Sequence, residues 1–229
     1  HSLRRRQRQM CIRDSMYTDK IFFVSGIDTN IGKSYATGYL AKIWNQRGIK
    51  TITQKFIQTG NTSISEDIEL HRKIMGTGLL PEDLIRLTMP EIFTYPCSPH
   101  LAAEIDGREI NFSKIEEAAA RLCTKYDAVL TEGAGGLMVP LTRSLLTIDY
   151  IAQKNYPLIF VTSGRLGSIN HLLLSLEAIK KRNIKLHTLM YNMFPENEDK
   201  IIQKDTESYI RDIIEKEFPE CEMMTVPVL

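Results

Sequence analysis

The sequence predicts an α/β fold, with a mostly parallel central sheet and helices on both faces. Three observations carry this. Short apolar runs take turns with segments of helical period. The runs are continuously apolar rather than alternating, as befits strands of a parallel sheet buried on both faces. Each run also ends in a glycine, an asparagine or an acidic residue, so polar groups fall beyond the carboxyl ends of the strands, where open sheets of this kind bind ligands.

In chain order, "KIFFVSG" (20–26) reads as the first strand, followed by a glycine-containing loop and the segment "KSYATGYLAKIWNQRG" (33–48). In that segment Tyr35, Ala36, Tyr39, Leu40, Ile43 and Trp44 recur at helical spacing, and Gly48 is the expected stop. "KTITQKF" (50–56) is the next strand and "SEDIELHRKIMG" (65–76) a helix closed by Gly76. Ser113 and Glu116, three apart before Ile115, Ala118, Ala119 and Leu122, predict a capping box on a further helix. Strands follow within 127–136, 157–164 and 185–192, separated by the helical segments "LTIDYIAQKN" and "SINHLLLSLEAIKKRN", and a charged helix covers 199–217.

The chain has 229 residues and a formal net charge of +1. Its first fifteen residues hold five Arg against one Asp and no apolar period, so they are read as a non-native or disordered leader, with residues 16–229 as one α/β domain. With the leader set aside, the 29 basic and 28 acidic residues of the whole chain fall to 24 and 27. That balance gives no electrostatic case for nucleic acid as a partner. No run approaches the length needed to span a membrane. The cysteines after the leader, Cys97, Cys123 and Cys221, are an odd number with no close pair and suit a reducing compartment. A soluble cytoplasmic protein is the expectation.

The loop "VSGIDTNIGKS" (24–34) ends in the Gly-Lys-Ser of a phosphate-binding loop, yet Gly26 stands one position too early for the usual spacing and Ile27 takes its place. Between a strand and an amphipathic helix the triplet still points to nucleotide phosphates and to a P-loop NTPase-like fold. Backbone N–H groups of Asn30, Ile31, Gly32, Lys33, Ser34 and Tyr35 would face the phosphates with the helix dipole behind them. Lys33 would reach the outer phosphates of ATP and the Ser34 hydroxyl would ligate Mg²⁺. A cation at a helix N-terminus otherwise opposes the dipole by about 0.3–1 kcal/mol, so an anion should compensate Lys33.

A second cluster is "LTEGAGG", where Glu132 ends an apolar run and Gly135 and Gly136 allow a metal or phosphate to approach the backbone. Asp67 offers another carboxylate, although "SEDIEL" also reads as an ordinary acidic first helical turn. Ser34, Asp67 and Glu132 together would make the hard oxygen shell that suits Mg²⁺. Lys55, at the end of the second strand with Thr59 and Gly60 after it, is placed either to hold a negative intermediate or to snorkel at the surface.

The ordered blocks "GIDTNIGKS", "QKFIQTG", "YPCSPHLAAE", "LTEGAGGLMVPL", "RLGSINH" and "MYNMF", from about residue 20 to 194, resemble the dethiobiotin synthetase family. That family's loop has the same five-residue gap after its first glycine. The resemblance implies a homodimer in which 7,8-diaminononanoate, CO₂ from bicarbonate and MgATP give dethiobiotin, ADP and phosphate. The route runs through a carbamate, its mixed anhydride with phosphate, and closure of the ureido ring.

By the same resemblance Thr29 and Lys33 attend the phosphates, and Ser34, Asp67 and Glu132 the metal. Lys55 steadies the carbamate with Thr59 beside it, and Asn192 reads the purine edge, which an amide can do because it both donates and accepts. Gly167, Ser168 and Asn170 would offer amides and polar side chains to the substrate carboxylate from the other subunit, though a plain helix cap fits them too. His100 and His171 are expected to be structural, and Cys97 has no basic partner in sequence that would mark a nucleophile. In the family a further segment after the equivalent of "MTVPVL" completes the purine pocket, so strictness for ATP is not expected from this sequence alone.

Two other classes share the sheet and the loop. A dimeric ATPase switch of the partition or septum-site type would carry another lysine early in the loop, where this chain has Gly26, Ile27 and Asp28. An amide-forming synthetase acting on cobyrinic-acid-like substrates would need room for a glutaminase domain.

Overall fold

The computed structural model describes residues 18–194 and 199–228. The expected leader, residues 1–15, lies outside the described residues. After a short turn at Thr18–Lys20 the chain runs β1 (Ile21–Gly26), α1 (Lys33–Gln46), β2 (Thr51–Lys55), β3 (Gln58–Thr59), α2 (Glu66–Met75), α3 (Pro81–Leu84), β4 (Ile92–Phe93) and α4 (Pro99–Ile105). It continues with α5 (Phe112–Cys123), β5 (Ala128–Glu132), α6 (Thr147–Lys154), β6 (Leu158–Ser163), α7 (Ser168–Lys181), β7 (Leu186–Asn192), α8 (Lys200–Glu217) and β8 (Glu222–Val226).

The six long strands form one parallel sheet in the order β2-β5-β1-β6-β7-β8, and β3 pairs with β4 in a separate two-stranded ribbon. Every residue of β2, β5 and β6 is buried; β5 and β6 accordingly read as largely apolar runs, whereas β2 buries Thr51, Thr53, Gln54 and Lys55. From β1 the chain steps outward to β2, then returns through β5 and proceeds the other way to β8. The direction therefore reverses around β1, and the crevice beyond its carboxyl end is the place where such a sheet receives a ligand.

On one side α1 lays Ala36, Leu40 and Trp44 onto the sheet, each large apolar side chain contributing about 1.5–3 kcal/mol on burial. Next to it lies α2. A Cβ on Gly38 of α1 would stand 3.1 Å from the His71 Cα of α2, so the two helices meet at a glycine. Ser65 caps α2 by accepting from the Ile68 N–H, and Gly76 ends it in the left-handed conformation. Among the described residues no helix is long and apolar enough to cross a membrane.

The cap of α5 differs from the sequence expectation. Asn111 Oδ1 accepts from the Lys114 N–H at 2.9 Å, so the helix starts before Ser113, which lies inside it. Asparagine caps as well as serine does, and Glu116 is engaged elsewhere, with Lys154 Nζ at 2.6 Å.

Candidate active site

Beyond the end of β1 the loop explains its own spacing. A Cβ on Gly26 would lie 2.5 Å from Ile31 Cδ1 and 2.9 Å from the Val161 carbonyl oxygen. Gly26 therefore leaves room for Ile31 to tuck beneath the loop as a buried anchor. Asn30 and Gly32 take positive φ, 57° and 84°, which turns the chain into α1. The N–H groups of residues 30–34 have no acceptor among the described residues, so they form a cradle of free donors at a helix N-terminus, suited to phosphate.

Gly32 is required twice over. Its φ is left-handed, and a Cβ there would lie 2.2 Å from Asn192 Nδ2. The buried Asn192 amide, from the end of β7, donates to the Ile31 carbonyl at 2.9 Å and to the Phe194 carbonyl at 3.2 Å, and its oxygen accepts from the Phe194 N–H at 3.2 Å. It thus ties β7 to the phosphate loop.

Lys33 is buried and donates to the Asp28 carbonyl at 2.6 Å. Burial pulls its ammonium down to about 8, against the opposing pull of Glu132. Asp28 accepts from the Thr29 N–H at 2.7 Å and pairs with Arg165, and these contacts, the Thr29 bond foremost, hold its carboxyl below the usual range.

Four side chains from four elements converge next to the loop. Ser34 Oγ lies 2.6 Å from Asp67 Oδ1 and 2.9 Å from Glu132 Oε1. Lys55 Nζ lies 2.5 Å from Asp67 Oδ2, 2.9 Å from Glu132 Oε1 and 3.3 Å from the Gly133 carbonyl. Lys55 is 5% exposed and Glu132 1%, so the snorkelling alternative for Lys55 is excluded. Burial alone would raise the Glu132 carboxyl, but Lys55 and His71 beside it hold it well below the carboxylate range. Lys55 is raised in turn: its burial opposes the charge, and Glu132 and Asp67 more than restore it.

Thr29, Asn30, Gly32, Lys33, Ser34, Tyr35, Lys55, Thr59, Asp67, Glu132, Gly135 and Asn192 all line one cavity of about 1000 Å³. Ile31 and Gly136 are not among its lining; Gly136 instead lets its loop approach β1, since a Cβ there would stand 3.3 Å from the Gly26 carbonyl.

The AAA domain family AAA_26 matches residues 20–229. An ATP-dependent dethiobiotin synthetase BioD 2 of Pasteurella multocida is 51% identical over 200 residues, covering 87% of this chain and 93% of the relative. Its namesake in Haemophilus influenzae is 54% identical over 185 residues, covering 81% and 97%. The chain belongs to the dethiobiotin synthetase family. Among solved structures, a putative plasmid partition protein of Borrelia burgdorferi bound to AMPPNP superposes with a TM-score of 0.52 at 14% identity, over 92% of this chain and 87% of that one. A likeness at that identity shows the P-loop fold alone.

For this family member, Gly167, Ser168 and Asn170 of "RLGSINH" do not line the cavity within one chain, although Arg165 of the same segment pairs with Asp28 of the phosphate loop. Gly167 and Asn170 are exposed at the start of α7, and Ser168 turns inward, its Oγ 3.2 Å from Ser163 Oγ. Cys97 does line the cavity, with Pro96, Ser98 and Pro99. Burial, followed by Asp106, pushes its thiol up, which keeps it out of the thiolate form. His100 Nδ1 lies 3.0 Å from Ser98 Oγ. Gln58, Val139 and Phe194 also face the cavity and carried no signal in sequence. His71, 2.8 Å from Glu132, did carry one: it sits four residues after Asp67 on α2 and therefore on the same helical face.

Proposed function

We propose that the chain catalyses the ATP-dependent carboxylation and ring closure of 7,8-diaminononanoate to dethiobiotin. The observation that carries this is the convergence of Ser34 and Lys55, each within 2.5–2.9 Å of both Asp67 and Glu132, beside the free amides of the phosphate loop in a chain of this family. A carbamate and the outer phosphate of ATP are both anions. Bringing them together needs fixed positive charge and preorganised donors in a site that excludes water.

Residues 30–34 and Lys33 would hold the phosphates, and Thr29 stands at the same mouth. Ser34, Asp67 and Glu132 would hold Mg²⁺. The donor set fits: one hydroxyl and two carboxylates are hard oxygen ligands, few enough to leave room for water and phosphate oxygens. Among the described residues no group of three or more His, Cys, Asp and Glu side chains makes an all-protein metal cage. When bound, the ion would neutralise charge building up on the phosphate oxygens. Lys55 neutralises the two carboxylates here; once they are otherwise neutralised, its ammonium is the cation free to steady the carbamate, with Thr59 alongside.

We further infer one domain over residues 16–229 and a cytoplasmic homodimer in which Gly167, Ser168 and Asn170 serve the substrate carboxylate across the interface. That none of the three lines the cavity of its own chain is in keeping with that sharing. Asn192 and Tyr35 would border the nucleotide. The partition-type switch has only the shared fold in its favour.

The test is phosphate release from MgATP with bicarbonate, with and without 7,8-diaminononanoate, followed by mass analysis for dethiobiotin. Release that depends on the diamine and yields product supports the synthetase. Release indifferent to the diamine overturns it in favour of the switch.

A further inference from the structure

We propose that His71 is a positioning residue that confines Glu132 to a single free carboxylate oxygen and so sets the preference of this site for Mg²⁺ over Ca²⁺. The inference rests on the reading above that Ser34, Asp67 and Glu132 hold a divalent cation.

His71 is fully buried on α2, one turn after Asp67. Its Nε2 lies 2.8 Å from Glu132 Oε2 and its Nδ1 3.0 Å from Thr53 Oγ1. Thr53 Oγ1 also receives Arg72 Nη1 at 2.8 Å. Arg72 is itself fixed by two bonds to Asp83, Nε to Oδ2 at 2.9 Å and Nη2 to Oδ1 at 2.8 Å. An arginine only donates, so Thr53 accepts from Arg72 and its own hydroxyl proton is available to His71 Nδ1; a carboxylate only accepts, so Nε2 carries a proton. The ring proton then sits on Nε2 and is donated to Glu132 Oε2. The chain of donors from Arg72 through Thr53 and His71 leaves each member satisfied and assigns the tautomer.

The two carboxylates are thereby unlike. Both oxygens of Asp67 face the site, Oδ1 toward Ser34 and Oδ2 toward Lys55. Glu132 presents Oε1 alone, to Ser34 and Lys55, while Oε2 is committed to His71. Mg²⁺ demands octahedral geometry and takes one oxygen per carboxylate; Ca²⁺ is larger, takes six to eight ligands and often uses both. A glutamate that cannot supply its second oxygen penalises Ca²⁺ selectively. Partners of this kind, one bond removed from the ligand, typically alter metal affinity 10–100-fold when removed.

The experiment is calorimetric titration of Mg²⁺ and of Ca²⁺ into the ADP-saturated protein, comparing wild type with His71→Leu, His71→Gln and Thr53→Val, each checked for folding by thermal melting. His71→Leu is expected to weaken Mg²⁺ by about tenfold or more and to shift the Mg²⁺/Ca²⁺ ratio toward Ca²⁺. His71→Gln, whose amide can still donate to Oε2, should stay within about threefold of wild type. Thr53→Val, which keeps the ring but removes its tautomer lock, should shift the ratio in the same direction by less. A folded His71→Leu with an unchanged ratio overturns the inference. If His71→Leu does not fold, Thr53→Val with an unchanged ratio does so. A wild type that binds no Mg²⁺ overturns the metal reading as well, whereas wild-type binding with unaltered variants overturns this inference alone.

Discussion

Gly32→Ala tests the tie between β7 and the phosphate loop. The substitution forces Ala into φ +84° with its Cβ 2.2 Å from Asn192 Nδ2. The left-handed backbone costs about 1–2 kcal/mol. The Cβ fits only if the Asn192 amide leaves, which breaks the bonds of 2.9 Å to Ile31 and 3.2 Å to Phe194. A buried group left unpaired in that way costs about 1–3 kcal/mol. Gly32→Ala should therefore destabilise by about 2–5 kcal/mol. Asn192→Ala alone gives up the same bonds, about 1–3 kcal/mol, and vacates the space the new methyl needs. On that background Gly32→Ala should cost only the backbone term. Urea unfolding of both single variants and the double variant should then give a coupling of about 1–3 kcal/mol, the double variant being more stable than the sum predicts. Additivity within about 0.5 kcal/mol would refute the assignment of Asn192 as the side chain that Gly32 accommodates.

Other expectations follow from the same geometry. Lys55→Ala should lower turnover by about 10²–10³, as loss of a preorganised charge does, while ADP binding survives; its stability deficit, from the buried Glu132 and the half-buried Asp67 losing their shared cation, should shrink on adding Mg²⁺. Lys33→Ala should abolish the thermal stabilisation given by ADP, and retention of that shift would remove Lys33 from the phosphate site. Breaking the buried Arg72–Asp83 pair with Arg72→Met should cost about 3–5 kcal/mol, and adding Asp83→Leu should recover much of it, as measured by urea midpoints. Burial raises the Cys123 thiol to about 11 from an ordinary 9. The folded state thus holds a proton that the unfolded chain has released, so this stability is present below pH 9 and lost as pH rises toward 11. The urea midpoint of wild type should fall more steeply over that window than that of Cys123→Ala, and equal slopes would contradict the burial assignment.

The elements that sequence placed well are those whose neighbours are local or whose burial is complete. β1, β5, β6 and β7 fall within a residue or two of their apolar runs, because a strand covered on both faces has no polar face to interrupt the run. The cap of α5 was misplaced by two residues because Asn111 and Ser113 are chemically equal candidates, and geometry alone chose between them. The "RLGSINH" residues are legible as a motif, but within one chain Gly167, Ser168 and Asn170 do not line the cavity.

By itself the sequence determined the parallel α/β architecture, the phosphate loop and the family, since these are written in contiguous runs and ordered blocks. The tertiary structure decided what the site is made of. Lys55 and Asp67 lie 12 residues apart and Glu132 a further 65 on, and the three meet only because β2 and β5 pair in register while α2 packs beside them. The roles of Gly26 against Val161, of Asn192 against Gly32, and of His71 on Glu132 depend on contacts between elements distant in the chain. Spacing along a chain specifies which face a residue takes, but the partner opposite that face is specified only by how the sheet is ordered and which helix covers it.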